Sequence, residues 1–145
     1  MPPRSRDTAR GMSEENVEIV RRIYEDFQRD GWDSAMRFAS PDIELHGTSG
    51  GLSEGNVARG IAAVREMFEE WDAEAWEETR LNPQEFIDVG DQVVVFQHEL
   101  RRGRGSGVEV ESDTAMLFEL RDGSVTRIQG FMDQKQALEA AGMRE

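Results

Sequence analysis

The sequence has no cysteine in its 145 residues, so it can form no disulfide framework, no thiolate metal site and no cysteine nucleophile. Histidine is almost as scarce. His46 and His98 are the only two, and no His-x-x-x-His or paired carboxylate–histidine spacing accompanies them, so no metal and no other cofactor is expected. Basic side chains are in the minority, 17 against 30 acidic ones, and the formal net charge of −13 repels phosphate backbones and anionic lipid surfaces. Neither nucleic acid nor membrane is therefore an expected partner. No run approaches the roughly 20 apolar residues that span a bilayer. Met1–Gly11, with three arginines and no apolar stretch, lacks the hydrophobic region of a secretory signal. Residues 1–11 are expected to be a disordered leader, residues 12–145 a single domain long enough to bury a core, and the cytoplasm the compartment.

What is present organises itself along the chain. Ser13 is placed to cap a helix whose first turn carries Glu14 and Glu15, and Val17, Val20, Ile23, Tyr24 and Phe27 follow at helical spacing until Gly31. A short helix over Ser34–Ala39 stops before Pro41, and Asp42–His46 reads as a brief strand. The glycine-rich run from Gly47 to Gly60 is a long loop of lid type, and Ile61, Val64, Met67, Phe68 and Trp71 mark a third helix.

The C-terminal half alternates with a period of two. Phe86–Val89, Gln92–Arg101, Val108–Leu120 and Ser124–Met132 read as strands before a capped helix. Val94, Phe96, His98 and Leu100 fall on one side of their run, and Val110, Ser112, Thr114, Met116, Phe118 and Leu120 on one side of the next. Together they describe an apolar concavity with a histidine and two hydroxyls, which is the composition of a ligand pocket. With a turn at Gly90-Asp91 and a loop over Gly103–Gly107, Arg101 is expected to face Glu109, His98 to face Ser112, and Phe96 to face Thr114. A three-residue loop over Arg121–Gly123 puts Thr126, Ile128, Gly130 and Met132 on the pocket side and Arg127, Gln129 and Phe131 outside. The opposite face then carries an apolar strip of Val93, Val95, Ala115, Leu117 and Phe131, and a homodimer is the expected cover for it.

Several stretches carry a family resemblance: Asn16–Phe27 with Gly31, the phrase Glu85–Asp91, the Gly103–Val108 hairpin, and Asp122-Gly123 through Asp133 to Gly142. In these and in element order the chain resembles the SnoaL-like subgroup of the nuclear transport factor 2-like superfamily. The resemblance implies an α+β fold: a cone-shaped, curved, mostly antiparallel β-sheet with three N-terminal and central helices over its concave face and a short C-terminal helix. Such proteins include ketosteroid isomerases, polyketide cyclases, scytalone dehydratase, limonene epoxide hydrolase and non-catalytic binding proteins, so fold alone does not fix function. Tyr24, seven residues before Gly31, matches the helix-one tyrosine that donates to a developing oxyanion in ketosteroid isomerases. The catalytic carboxylates of that mechanism fall at about Gly47 and at about Thr114 or Met116, where this chain has no acid. Steroid isomerisation is therefore not expected.

The candidate site residues follow. His98, as the imidazole expected to face the concavity, is the candidate acid or base, with Tyr24 as hydrogen-bond donor. His46, Phe96, Ser112, Thr114, Met116 and Trp71 are candidate pocket residues. His46 shares a strand face with Asp42 and Glu44, which reads either as a carboxylate–histidine cluster or as the wet side of an edge strand. Glu85 lies where it can either orient His98 or stay solvated. Arg101, Arg102 and Arg104 read as a solvated turn. Two functions are open: a cofactor-free enzyme acting by proton transfer on a small apolar, cyclic or polyketide-like molecule, or a non-catalytic ligand-binding or protein-interaction module.

Overall fold

Two amide side chains lock the first helix against the edge of the sheet and so frame the concave face. The computed structural model describes residues 6–51 and 53–142, with the backbone alone for residues 6–12 and 71–76. The elements are α1 (Arg6–Asp30), α2 (Trp32–Ala35) continued by a 3-10 turn (Met36–Phe38), β1 (Ala39–Ser49), β2 (Val57–Arg59) and α3 (Ile61–Ala75), then β3 (Trp76–Val89), β4 (Gln92–Gly103), β5 (Glu109–Arg121), β6 (Ser124–Phe131) and α4 (Gln134–Ala140). From α1, Asn16 Nδ2 donates to Gly90 O at 3.2 Å and Gln28 Nε2 donates to Leu81 O at 3.1 Å, so the helix lies along β3. It begins at Arg6, inside the segment expected to be a leader. Ser13 lies within it rather than capping it, with its Oγ 3.5 Å from Gly90 O.

The strands form one six-stranded sheet in the order β2-β1-β6-β5-β4-β3. Every pairing is antiparallel except that of β1 with β6. Helices α1, α2 and α3 cover one face. There Val20, Ile23, Tyr24, Val64 and Phe68 pack on Ile43, Leu45, Val93, Val95, Phe118 and Ile128. Trp32 ties the helices together, stacking on Phe68 (centroids 3.9 Å apart, planes at 10°) and lying 4.2 Å from Phe27. Asp26, buried at the base of α1, is held by Arg37 at 2.7 Å and Arg29 at 2.9 Å. A buried carboxylate requires such partners, and this one pins the 3-10 turn to α1.

The hairpins decide which side chains face inward. Gly90-Asp91 joins β3 to β4 as expected, with Val89 opposite Gln92. The β4–β5 register differs from expectation by one residue: His98 faces Asp113, Phe96 faces Ala115, and Arg101 faces Val110. Gly103 stays in the ladder, its N–H donating to Val108 O at 2.7 Å. The loop is therefore the four residues Arg104–Gly107, with Gly105 and Gly107 at φ 83° and 69°. A one-residue slip carries a strand's whole side-chain set to the other face. Val93, Val95, Gln97, Glu99 and Arg101 consequently point toward the helices, while Val94, Phe96, His98 and Leu100 point away. From Arg127 to Phe131 the β5–β6 faces are as expected, by a different route, while Val125 rather than Thr126 takes the inward position before them. Asp122 and Gly123 form a two-residue turn, both at positive φ, and a bulge between Glu119 and Leu120 absorbs the extra residue.

The outer strip also differs from expectation. Val94, Ala115, Leu117 and Phe131 are buried on that face beneath Ala137 and Ala141 at the end of the chain. The cover is α4, capped by Asp133, whose Oδ1 accepts from Lys135 N at 2.8 Å, and docked by Gln134 Nε2 donating to Thr114 O at 3.1 Å. Burying a side chain the size of Leu117 or Phe131 stabilises the fold by about 1.5–3 kcal/mol, and the chain secures this without a second copy. Val93 and Val95, expected in this strip, lie in the core beneath the helices.

Candidate functional site

Cross-strand register arranges the concave face as rungs, and the rungs change character along the sheet. Phe86, Val95 and Met116 form an apolar rung. The following rungs are Pro83, Gln97 and Thr114, then Leu81, Glu99 and Ser112, then Thr79, Arg101 and Val110. Polarity thus rises toward the β4–β5 hairpin. From α1, Tyr24 reaches the boundary between the two halves. Its hydroxyl donates to Gln97 Oε1 at 2.6 Å, and Gln97 Nε2 donates to Thr114 Oγ1 at 3.1 Å and to Glu99 Oε1 at 2.9 Å. Arg101 Nε lies 3.5 Å from Glu99 Oε2. Gln97 is fully buried and Tyr24 and Thr114 nearly so, whereas the Glu99 side chain keeps 16% of its surface open.

The Tyr24 ring is fixed by edge-on contacts with Phe86 at 5.9 Å and Phe118 at 6.1 Å. Burial, reinforced by the negative charge of Glu99, pushes its pKa well above the ordinary value of 10.0. Tyr24 is therefore a neutral donor at physiological pH, and the Gln97 amide joins it to the Glu99 carboxylate.

The space around this row divides in two. Beneath the helices a cavity of about 30 Å³ is lined by Ile23, Phe27, Trp32, Phe68, Met116 and Phe118 among others, room for about one water. At the other side of Phe27 an open groove of about 350 Å³ runs over Gln28, Glu78, Thr79, Leu81 and Asn82. Of these two spaces, the groove has the size of a small-molecule site, which begins near 300 Å³.

Of the residues expected at the site, Tyr24, Thr114 and Met116 lie on the concave side, and Ser112 shares that face by register. His98 does not. It projects from the outer face, half exposed, with Nδ1 2.8 Å from Asp113 Oδ1 and Nε2 3.8 Å from Glu111 Oε1. The Asp113 hydrogen bond, opposed by partial desolvation and aided by both carboxylates, raises its pKa above 6.5. Phe96 leaves the pocket with it, for the same slip in register. His46 is also on the outer face, opposite Gln129 and 3.0 Å from Glu44 Oε1, because Ile43 and Leu45 take the inward positions of β1. Glu85 is exposed, opposite Phe96. The Trp71 side chain lies outside the described residues. At Gly47 a Cβ would stand 1.7 Å from Ser53 O, so the loop packs on bare backbone there. Sequence reading missed Gln97, Glu99 and Arg101. Their parity with Val93 and Val95 is the signal, but Val94 and Phe96 offered an equally apolar alternative. Among the described residues no group of three His, Asp or Glu side chains is placed to hold a metal ion.

Comparison with known proteins agrees with this architecture. No match is found among curated proteins. Among solved structures, a crystal structure of TerC co-crystallised with polyporic acid is 27% identical, covering 89% of this chain and 99% of its own, with a TM-score of 0.71. A putative SnoaL-like polyketide cyclase from Jannaschia sp. CCS1 is 22% identical over the full length of both chains, with a TM-score of 0.73. An NTF2-like protein from Burkholderia thailandensis E264 is 19% identical over 89% of this chain and 98% of its own, also at 0.73. The model of the SnoaL-like domain matches residues 20–128, most of the chain, and the protein belongs to that family.

Proposed function

We propose that this protein binds a small, largely apolar cyclic molecule against the concave face and acts on it by proton transfer without a cofactor, with Glu99 as proton acceptor and Tyr24 as donor. The observation that carries the reading is the hydrogen-bonded row Tyr24–Gln97–Glu99, closed by Thr114. It holds a neutral phenol and a partly open carboxylate on one amide, so a proton removed at Glu99 is balanced by a donor a few ångströms away. The TerC structure with polyporic acid supports a cyclic ligand for this fold. The second reading, a binding module without catalysis, is favoured by the small interior cavity and by the outward placement of both histidines. A homodimer through the outer sheet face is proposed with either reading, resting on the half-buried Phe96 and Leu100.

Deuterium wash-in at the acidic carbons of a panel of cyclic ketones, followed by mass spectrometry, separates the two readings. Catalysis predicts exchange above the buffer rate and a loss of about two to four orders of magnitude in Glu99→Gln, the usual scale of acid–base catalysis. Binding of the ketones without exchange would establish the binding module instead.

A further inference from the structure

The core cavity and the groove over β3 each lack what the other has. The cavity of about 30 Å³ has apolar walls, Ile23, Met116, Phe118 and Ile128 among them, but no room for a ring. The groove of about 350 Å³ has the room, but it runs over Gln28, Glu78, Thr79, Arg80 and Asn82. A site for an apolar molecule needs both the size and mostly apolar walls. Phe27 and Leu81 line both spaces and so stand between them. The two residues are not held alike. Leu81 is 7% exposed and paired with Glu99 across β3 and β4, and its carbonyl accepts from Gln28 Nε2 at 3.1 Å. Phe27 is half-buried in the last turn of α1. Its carbonyl accepts from Gly31 N at 2.9 Å, and Asp26 beside it is anchored by Arg37 and Arg29. A change of rotamer at Phe27 therefore needs no movement of the helix. The Phe27 ring lies 4.2 Å from Trp32, which is itself stacked on Phe68 at 3.9 Å. Phe27 thus covers an indole that stays in place when the phenyl ring leaves.

We propose that Phe27 is the gate between the groove and the cavity, and that a planar, uncharged ring enters from the groove by displacing it. The Phe27 side chain turns outward, and the incoming ring takes its place against Trp32. One aromatic contact is exchanged for another, so the indole keeps a stacking partner throughout. The apolar walls on the cavity side select against charge, which is costly to bury without a partner. The joined space borders Tyr24 directly and Glu99 through its cross-strand neighbour Leu81. A ring admitted there comes to rest at the Tyr24–Gln97–Glu99 row. Phe27 thereby sets both the access and the shape of the ligand without touching a proton itself. This inference rests on the small-molecule reading above and names how its ligand is admitted.

The test uses 2-naphthol, an uncharged two-ring probe with its own fluorescence, in equilibrium titration and stopped-flow mixing with the full chain. A site that must open first has its intrinsic affinity reduced by the open fraction, and minor states are commonly about 10% populated or less. Phe27→Ala removes the gate and is expected to tighten binding about tenfold and to speed association by a similar factor. Phe27→Leu keeps an apolar side chain at the position and is expected to move both quantities in the same direction by less. Phe27→Trp enlarges the gate and is expected to slow association. Circular dichroism verifies the fold of each variant, and Phe27→Leu decides the matter if Phe27→Ala does not fold. Affinity and association rate unchanged or lowered in the folded Phe27→Ala and Phe27→Leu variants would overturn the gate while leaving a small-molecule protein. Failure of 2-naphthol to bind the unmodified protein and every variant would overturn the inference together with the reading beneath it.

Discussion

Replacing Gln97 with leucine removes the residue on which the buried polar row depends, and the cost can be worked from its partners. Leucine nearly matches glutamine in volume, so packing changes little. The lost hydrogen bonds are not equivalent. Tyr24, 4% exposed, is left with a hydroxyl that water cannot reach, and Thr114, 2% exposed, loses its donor. A buried group left unsatisfied costs about 1–3 kcal/mol. Glu99 is partly open and recovers water, so it adds little. The expected destabilisation is about 2–4 kcal/mol, or roughly 5–15 °C in Tm for a domain of this size. Tyr24→Phe alone strips Gln97 Oε1 of its donor and is expected to cost about 1–2 kcal/mol. The double variant is the sharper measurement. With the phenol gone, the leucine orphans only Thr114, so Tyr24→Phe/Gln97→Leu is expected to be no less stable than Gln97→Leu alone. Urea denaturation followed by circular dichroism gives all three values at constant m. Strict additivity, or a Gln97→Leu cost below about 0.5 kcal/mol, would refute the coupled row.

Two further outcomes follow from the outer face. His98 is raised by Asp113, so its protonated form is favoured by folding; the stability it contributes is fully present below pH 6.5 and is lost as pH rises through the raised value. Nuclear magnetic resonance should find the His98 midpoint above 6.5 and lower in Asp113→Asn, and a midpoint insensitive to that substitution would remove Asp113 as the cause. For the proposed dimer, light scattering at micromolar concentration should give twice the chain mass and Leu100→Lys should halve it, since a lysine buried in a contact without a partner is costly. A monomer in the unmodified protein would end that proposal.

Much of the fold was legible in the chain because its signals are local. Helical spacing from Val17 to Phe27, the Gly90-Asp91 turn, the C-terminal helix and the inward parity of Thr114, Met116 and Phe118 each depend on a few neighbouring residues, and the structure contains them all. The face of β4 was not legible. Val93, Val94, Val95 and Phe96 are apolar at both parities, because α1 and α3 cover one side of the sheet and α4 the other. Alternation carries no information when both faces are buried. The choice fell to a single ladder bond, Gly103 N to Val108 O, which sets the hairpin at four residues and moves the register by one. That bond turns His98 toward solvent and brings Gln97, Glu99 and Arg101 under the helices. The sequence by itself determined the family and most of the elements, though not β2 or the part of β3 before Phe86; only the tertiary structure decided which polar groups share the concave face, because strand register is a relation between distant segments and a slip of one residue exchanges the two faces.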